Sequence, residues 1–241
     1  MSVNLGKILS SSEYDCHSFS EKNKEELEKN GFCLIPPKNF FWKWIGADPQ
    51  EIRNIIDELI KKEGNSAGSE GKEEYTVKKN KKIEQGATRV GNLLNKNKIF
   101  SKISSLPEII TAANFVIQDE IKLSSILFRQ PDFDTPEQEI HIDWHPRRNK
   151  NDKYNAFVAF LYLEDSNKTN GATILIPGSH KRLGYPCEKI NPYIKNSEEY
   201  LVEAEKGSLL FLNANTWHKG GKNISGKKRG IIVVEYRNRK L

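Results

Sequence analysis

The stretches FVAFLYLED (Phe157–Asp165), GSLLFLN (Gly207–Asn213) and GIIVVEYRN (Gly230–Asn238) are short, rich in β-branched and aromatic residues, and bounded by turn residues. Runs with these properties are typical of β-strands. Three more runs of the same kind follow Ile121, namely ILFRQP (Ile126–Pro131), QEIHIDW (Gln138–Trp144) and GATILIP (Gly171–Pro177). Because no helical pattern separates these runs, they predict an antiparallel barrel or a double-sheet jelly roll.

The first half of the chain favours helices. FSEKNKEELEKN (Phe19–Asn30) is polar and helix-favouring, and Gly31 is placed to end that helix. Apolar residues at helical spacing predict a second helix over Pro49–Lys62 with one buried face. The remaining elements predicted here are a short strand at FCLIP (Phe32–Pro36) and a helix around LPEIITAANFV (Leu106–Val116).

Residues 63–86 lose all periodicity and consist mostly of Gly, Ser, Lys and Glu, which predicts a flexible surface loop. A functional lid and a plain insertion both fit this segment. A length of 241 residues is within the range of one β-rich domain. We therefore expect an α+β fold with a mainly β core, in which a helix-rich part (1–120) packs on a barrel core (121–241) as a single domain, 1–241.

Composition excludes several classes of protein. No run of 18 apolar residues exists, and the N-terminus carries no hydrophobic region of signal-peptide length, so we expect neither a membrane span nor a signal peptide. Cys16, Cys33 and Cys187 form no CxxC pair, which favours reduced thiols and a cytoplasmic location. The net charge of +6 is spread among glutamates and asparagines rather than gathered in one stripe, so nucleic acid is an unlikely partner.

A candidate metal site begins at His141 and Asp143. Alternate residues of a strand share a face, so both side chains would project the same way and bind one ion. His218, which follows the strand GSLLFLN, supplies a third candidate ligand. Two histidines and one carboxylate form the facial triad typical of non-haem Fe(II) oxygenases, which leaves positions open for substrate and O2, although zinc accepts the same ligands.

Arg229 favours iron over zinc. It lies 229 − 218 = 11 residues after His218, across a turn-rich segment, and opens the last predicted strand. A hairpin return would place Arg229 on the strand beside His218, pointing into the barrel below the metal. A guanidinium there would clamp a carboxylate with two hydrogen bonds. A dicarboxylic cosubstrate that chelates iron at one end and meets an arginine at the other is 2-oxoglutarate.

The sequence resembles the phytanoyl-CoA dioxygenase family of Fe(II)/2-oxoglutarate-dependent oxygenases. The resemblance covers nearly the whole chain and is carried by four motifs in family order, E-x-N-G-F-C-L-I-P (Glu28–Pro36), Q-x-x-H-x-D-W (Gln138–Trp144), N-G-A-T-x-x-x-P-G-S-H (Asn170–His180) and G-S-L-L-F continuing to H-x-G-G-x-N-x-S (His218–Ser225) with Arg229 beyond. It implies a double-stranded β-helix, a cupin-like barrel, and hydroxylation of a small-molecule substrate with O2 consumed and succinate and CO2 released.

Residue by residue, the resemblance implies that His141, Asp143 and His218 bind Fe(II) and that Arg229 binds the distal carboxylate of 2-oxoglutarate. Gln138 is implied to line the site near cosubstrate or substrate. Because related iron halogenases replace the carboxylate ligand with a small residue, Asp143 favours hydroxylation or a related oxidation over halogenation.

The second half of the chain contains two further histidines, His145 and His180. His145 would share the metal face, but Pro146 breaks the pairing there, so we expect a substrate-side or structural role. His180 sits in a turn and is expected to be structural.

Oxygenases that act on nucleic acid usually carry a second arginine where this chain has Glu235, which argues against that substrate.

The substrate itself cannot be read from the sequence, but candidate contacts can be named. The basic loop after the metal motif would suit an anionic substrate such as a carboxylate, a phosphate or a coenzyme A ester, and a solvated basic surface fits it equally. An arginine between apolar residues needs a partner, which is either the substrate or a structural carboxylate. The candidates for substrate binding are Trp144, Arg147, Arg148, Arg89 and Arg129.

Overall fold

The computed structural model describes residues 19–64, 87–134, 136–192 and 194–241. Its α-helices are α1 (Glu21–Asn30), α2 (Asn39–Ile45), α3 (Pro49–Glu63), α4 (Ile99–Ser104) and α5 (Pro107–Ile117). Its strands are β1 (Phe32–Ile35), β2 (Ala87–Val90), β3 (Ile121–Pro131), β4 (Ala156–Tyr162), β5 (Thr173–Leu175), β6 (Tyr200–Leu201), β7 (Leu209–Asn213), β8 (His218–Gly220) and β9 (Ile231–Asn238).

The helix ends follow from local side-chain chemistry. Ser20 caps α1 and Asp48 caps α3, each as part of a capping box with the residue three positions on. Pro49 occupies the first turn of α3, where its missing N–H costs nothing. Gly31 ends α1 in the left-handed conformation (φ 83°) and donates its N–H to the Leu27 carbonyl. These ends confirm the two N-terminal helices predicted from the sequence.

The strands form two antiparallel sheets. The major sheet has six strands in the order β1-β7-β4-β9-β3-β2, and the minor sheet has three in the order β6-β5-β8. In the major sheet β9 lies between β4 and β3, with Arg129 opposite Ile231 and Leu127 opposite Val233. The two edge strands β1 and β2 come from the first half of the chain and pair with β7 and β3.

Strand alternation divides the side chains of the major sheet between two faces. Ile126 and Phe128 of β3, together with Ile232 and Val234 of β9, face the helices and are buried in the larger hydrophobic core. The intervening residues face the space between the sheets, and among them Leu127, Arg129, Ile231 and Val233 line a cavity.

The predicted fold class is confirmed. The core is mainly β and of the jelly-roll type, and helices from the first half of the chain pack against the major sheet. Hydrogen bonding is divided between two sheets and does not close into one barrel. Within the described residues, no helix is both long enough and apolar enough to span a membrane.

Two local predictions were wrong. The segment Gln138–Trp144 is not a regular strand, since only His141 forms a bridge there, with His218. The prolines Pro136 and Pro146 on either side cannot donate to a ladder. The hairpin between His218 and Arg229 is also absent, because β8 pairs with β5 in the minor sheet while β9 joins the major sheet.

Of the predicted loop at 63–86, residues 65–86 lie outside the described residues. Glu63 still belongs to α3, whose last turn is longer by one residue than the sequence indicated. Short elements that the sequence did not reveal are α2, α4, β2, β6 and β8.

Candidate metal centre

His141 and His218 are held together by their backbones. The N–H of His141 donates to the His218 carbonyl at 2.9 Å, and the N–H of His218 donates to the His141 carbonyl at 3.0 Å. Asp143 is fixed in turn by its N–H, which donates to the Ala214 carbonyl at 3.0 Å. The segment that carries His141 and Asp143 is therefore attached at both ends to the chain around β8.

The three side chains converge on one point. The ligand atoms of His141, Asp143 and His218 all lie within 4.8 Å of one another. The Nε2 atom of His218 lies 3.3 Å from Oδ2 of Asp143, and the Nε2 atom of His141 lies 3.8 Å from Oδ1. The two imidazole rings are 4.4 Å apart between centroids.

Backbone carbonyls orient both rings. Nδ1 of His141 lies 2.8 Å from the Glu139 carbonyl, and Nδ1 of His218 lies 2.9 Å from the Thr216 carbonyl. A carbonyl accepts only, so each Nδ1 carries a proton, and Nε2 on the side of the carboxylate is the nitrogen that each ring can offer to a metal. Metal-binding histidines are held in this way by their other nitrogen. Two neutral imidazoles and one carboxylate around a shared point therefore suit a divalent transition metal.

The pKa shifts of the three side chains also suit a metal site. Burial raises the pKa of Asp143, but the positive charge and hydrogen bond of His218 outweigh it and lower that pKa to about 2. Burial lowers the pKa of His218, but the charge and hydrogen bond of Asp143 raise it above its usual value. Burial and the nearby His218 lower the pKa of His141 to about 4. The Asp143 carboxylate thus favours the protonated form of His218, and a bound metal would take the place of that proton.

Arg229 is buried at the start of β9, with 1% of its surface exposed. Its Nη2 donates to the Gly171 carbonyl at 2.5 Å, whereas its Nε has no hydrogen-bond partner among the described residues. Burial lowers the pKa of the guanidinium, and the nearby Tyr162 and Glu164 raise it. A buried guanidinium with an unused donor fits a carboxylate ligand, since charged groups are rarely buried without a partner.

The metal cluster and Arg229 line one cavity of about 180 Å³. Gln138 also lines it, and its side-chain oxygen accepts from the Gly220 N–H at 2.9 Å, which ties the ligand segment to β8. The full lining comprises Arg89, Leu127, Arg129, Gln138, His141, Asp143, Phe160, Thr173, His218, Lys219, Gly220, Arg229, Ile231 and Val233. All five residues that the resemblance implicates in binding metal or cosubstrate therefore meet at one cavity.

The five candidate substrate residues separate into two groups. Arg89 and Arg129 are directly opposed on β2 and β3, and both line the cavity. Arg147, Arg148 and Trp144 do not line it. The guanidinium of Arg147 bonds to its own loop and to the Tyr154 hydroxyl, and Arg148 pairs with Glu188 at 3.1 Å.

Trp144 packs against the smaller hydrophobic cluster between the sheets, and the guanidinium of Arg237 lies 4.5 Å from its ring centre. His145 is exposed and is not part of the metal cluster. His180 is buried, and its Nε2 lies 3.1 Å from the Glu28 carbonyl, as expected for a structural histidine.

The sequence interpretation missed Lys219, which follows His218 directly. Its side chain is 2% exposed, and its Nζ lies 2.8 Å from Glu137 and 3.0 Å from Glu199. This ion triad links β8 to the segment just before Gln138 and to residues just before β6. The position beside a candidate ligand was visible in the sequence, but its two partners come from irregular segments whose placement no local pattern predicts.

Known proteins provide an independent comparison. The chain is 25% identical to the peroxisomal phytanoyl-CoA dioxygenase of Bos taurus over 90% of its own length and 68% of that protein. It is 24% identical to a probable alpha-ketoglutarate-dependent hypophosphite dioxygenase of Stutzerimonas stutzeri, over 90% of this chain and 78% of that one. The match to two mycobacterial relatives covers only 50% of the length of each of those proteins.

Among solved structures, HygX from Streptomyces hygroscopicus with nickel and 2-oxoglutarate bound is similar in fold. Its TM-score is 0.68 at 14% identity, and the match covers 91% of this chain and 87% of HygX. The sequence profile described as phytanoyl-CoA dioxygenase (PhyH) matches residues 27–231, which include the whole metal cluster and Arg229. The chain belongs to the phytanoyl-CoA dioxygenase family and is an enzyme of the dioxygenase class.

Proposed function

We propose that this protein is an Fe(II)- and 2-oxoglutarate-dependent dioxygenase that hydroxylates a small metabolite or a carrier-linked acyl substrate, with succinate and CO2 as coproducts. The observation that carries the proposal is the convergence of His141, Asp143 and His218 on one point, in the same cavity as the buried Arg229. The alpha-ketoglutarate dependence named for the Stutzerimonas relative and the 2-oxoglutarate bound to HygX support it.

In this proposal His141, Asp143 and His218 would hold Fe(II). The bound iron supplies the activation of O2, coupled to decarboxylation of 2-oxoglutarate and oxidation of a substrate C–H bond. Arg229 donates to the distal carboxylate of the cosubstrate through the part of its guanidinium that has no protein partner. Gln138 holds the ligand segment to β8 through Gly220 and so keeps His141 and Asp143 beside His218.

The cavity has an apolar wall beside the candidate metal ligands. Leu127, Ile231 and Val233 project from β3 and β9, and Phe160 from β4 lies edge-on to the His218 ring with 6.4 Å between centroids. Electrostatic interactions between the arginines and bound carboxylates are stronger in such a site than in water.

We infer that the substrate is anionic and that Arg89 and Arg129 bind its negative group. Both guanidinium-bearing residues line the cavity on neighbouring strands, and Arg129 lies close enough to the metal cluster to affect the pKa of all three ligands. Two adjacent guanidinium groups suit a carboxylate or a phosphate. Because Arg147, Arg148 and Trp144 do not line the cavity, we assign them structural roles.

The direct test combines purified protein with Fe(II), 2-oxoglutarate and O2 and measures succinate release across a panel of anionic and neutral metabolites. We expect slow release without substrate, a rise of at least tenfold with the right anion, and loss of that rise in Arg129→Met. If neither the protein alone nor any addition yields succinate, the oxygenase function is wrong.

The second candidate function is that of a non-catalytic metal-binding module, since zinc fits the same ligands. It predicts tight zinc binding and no 2-oxoglutarate binding. Calorimetric titration of 2-oxoglutarate into protein loaded with Mn(II) or with Zn(II) distinguishes the two, because only a cosubstrate site with Arg229 binds the dicarboxylate more tightly than acetate.

We also propose that residues 1–241 form a single domain, since β1 and β2 from the first half complete the sheet built by the second half. A cytoplasmic location stays a prediction that rests on the free thiols of Cys33 and Cys187.

A further inference from the structure

Arg53 is a buried arginine on α3 that the proposed chemistry does not use. It is 4% exposed and binds residues from several parts of the chain. Its Nη2 lies 2.7 Å from Oδ1 of Asp57, one turn along the same helix. Its Nη1 donates to Oε1 of Gln130 at 2.6 Å and lies 3.3 Å from Oε1 of Glu164. A guanidinium suits this task because its donors form a rigid planar fork.

The carboxylates that Arg53 holds continue to the two neighbours of Arg229. Glu164 accepts the Gly230 N–H on its other oxygen at 2.6 Å. Asp57 accepts from Nζ of Lys228 on its other oxygen at 3.3 Å. Glu164 thus bridges Arg53 to the backbone directly after Arg229, whereas the contact between Asp57 and Lys228 joins two exposed side chains. The Gly230 carbonyl is bound as well, by the N–H of Leu163 at 2.9 Å.

The close approach of Arg53 to Gly230 requires a glycine there. A Cβ at this position would lie 2.5 Å from the Phe128 ring and 2.9 Å from Nη1 of Arg53. The Arg53 guanidinium also lies 5.2 Å from the centre of the Phe128 ring, at cation–π distance. The backbone after Arg229 is therefore enclosed by Arg53, Phe128 and Glu164.

The side chain of Arg229 depends on that backbone for its direction. Among the described residues its hydrogen bond is the one from Nη2 to Gly171, and its Nε has no partner. A guanidinium with so few hydrogen bonds of its own depends for its position on the Cα to which its side chain is attached. A displacement of about 1 Å at a binding group is enough to weaken a bidentate contact strongly.

We propose that Arg53 is a positioning residue for the cosubstrate site: acting through Glu164, it fixes the backbone at Gly230, directly after Arg229, so that the guanidinium meets the distal carboxylate of 2-oxoglutarate. This inference rests on the proposed function of Arg229. It assigns α3, which lies outside the metal cavity, an indirect part in cosubstrate affinity.

The test uses the full-length protein loaded with Mn(II), which binds without redox chemistry, and measures the Kd of 2-oxoglutarate by calorimetry. We expect Arg53→Met to weaken 2-oxoglutarate binding about 10–100-fold, the range seen when an outer-shell partner is removed. Mn(II) affinity should change less than twofold. In the Fe(II) enzyme, KM for 2-oxoglutarate should rise while kcat at saturating 2-oxoglutarate stays within threefold. Arg53→Lys should restore part of the affinity.

Glu63→Gln is the matched control. Glu63 lies on the same helix and forms an ion pair of the same kind, 2.5 Å from Lys96, but touches none of the residues around Arg229. A general effect of weakening α3 would lower the Tm and the cosubstrate affinity equally in both variants. The proposal requires Glu63→Gln to keep the wild-type Kd for 2-oxoglutarate.

A Kd for Arg53→Met within twofold of wild type overturns the positioning role, and so does an equal loss of affinity in Glu63→Gln. If Arg53→Met does not fold, Glu164→Gln decides the question: a loss of threefold or more supports the role, and an unchanged Kd overturns it. Arg229→Met separates the proposed function of Arg229 from the inference about Arg53. If this variant binds 2-oxoglutarate as wild type does, the assignment of Arg229 fails and the inference fails with it, whereas a weakened Arg229→Met beside an unaffected Arg53→Met removes only the inference.

Discussion

His141 and His218 donate their backbone N–H groups to each other's carbonyls, at 2.9 and 3.0 Å, although the segment that carries His141 is not a regular strand. This reciprocal pair brings two distant parts of the chain to one register, with the imidazole rings 4.4 Å apart. The position of the candidate ligands therefore does not depend on the metal alone, and we expect the protein without metal to keep the site's shape.

Replacement of His218 by alanine should abolish both metal binding and turnover. The variant removes one of three ligands, so Fe(II) affinity should fall by more than the roughly 10–100-fold caused by loss of an outer-shell partner. His145→Ala is the control, because His145 is exposed and outside the cluster. Anaerobic Fe(II) titration checks the prediction, and equal Fe(II) affinity in the two variants would contradict it.

Lys219→Met should destabilise the fold by about 3–5 kcal/mol, because it leaves Glu199 charged and buried without its partner. Glu199→Gln added to Lys219→Met should restore at least half of the loss. The exposed pair between Lys222 and Asp134 offers the comparison, since Lys222→Met should cost less than about 1 kcal/mol. Urea unfolding measures these three variants and the single variant Glu199→Gln, and additive losses in the double variant would show that Lys219 and Glu199 are not coupled.

Gly31→Ala should cost far more than Gly46→Ala, although both glycines end helices in the left-handed conformation. The conformation alone costs about 1–2 kcal/mol for alanine. At Gly31 a Cβ would also lie 2.4 Å from Oγ1 of Thr216 and 2.5 Å from the His180 ring, which adds an overpacking cost of about 1–3 kcal/mol. At Gly46 the nearest atom is the flexible end of Lys102 at 3.3 Å. Similar unfolding free energies for the two variants would contradict the packing around Gly31.

Stability should fall as the pH drops from about 6.5 to about 4. Burial lowers the pKa of His180 to about 4, against an unfolded value near 6.5. Between these values the unfolded chain binds more protons than the folded one, so His180 stabilises the fold fully only above about pH 6.5 and this contribution, at most roughly 3 kcal/mol, is lost on acidification.

His180→Gln isolates this effect, because glutamine can still donate to the Glu28 carbonyl that His180 contacts. His141 titrates in the same range and is present in both proteins. Denaturant unfolding at pH 7.5 and pH 5 should therefore show a shallower pH dependence in the variant. Identical pH dependence in the two proteins would remove His180 as the cause.

Local patterns were sufficient to predict much of the fold and the centre of the site. The end of α1 at Gly31, the buried face of α3 and the short apolar strands β4, β7 and β9 depend on neighbouring residues, so the sequence predicts them without tertiary information. His141 and Asp143 were found because residues two apart in an extended segment project the same way, which holds even though that segment is not paired as a strand.

Non-local contacts could not be predicted in the same way. Arg53 lies on a helix whose pattern shows only a buried face, and its partners Gln130 and Glu164 follow two separate strands. Arg147 and Arg148 were named as substrate contacts because the loop is basic, but nearby groups such as Tyr154 and Glu188 engage them. Whether a surface arginine has a partner within the protein depends on loop geometry, which composition does not reveal.

Both edges of the major sheet are occupied by strands from the first half of the chain, β1 beside β7 and β2 beside β3. A fragment that began at Ile121 would keep the metal ligands and Arg229 but would present two rows of unpaired N–H and C=O groups. Exposed strand edges of that kind recruit further chains and lead to aggregation. Because the four-residue strands β1 and β2 cover the edges of β7 and β3, we expect a fragment without the N-terminal half to aggregate more readily than the full chain.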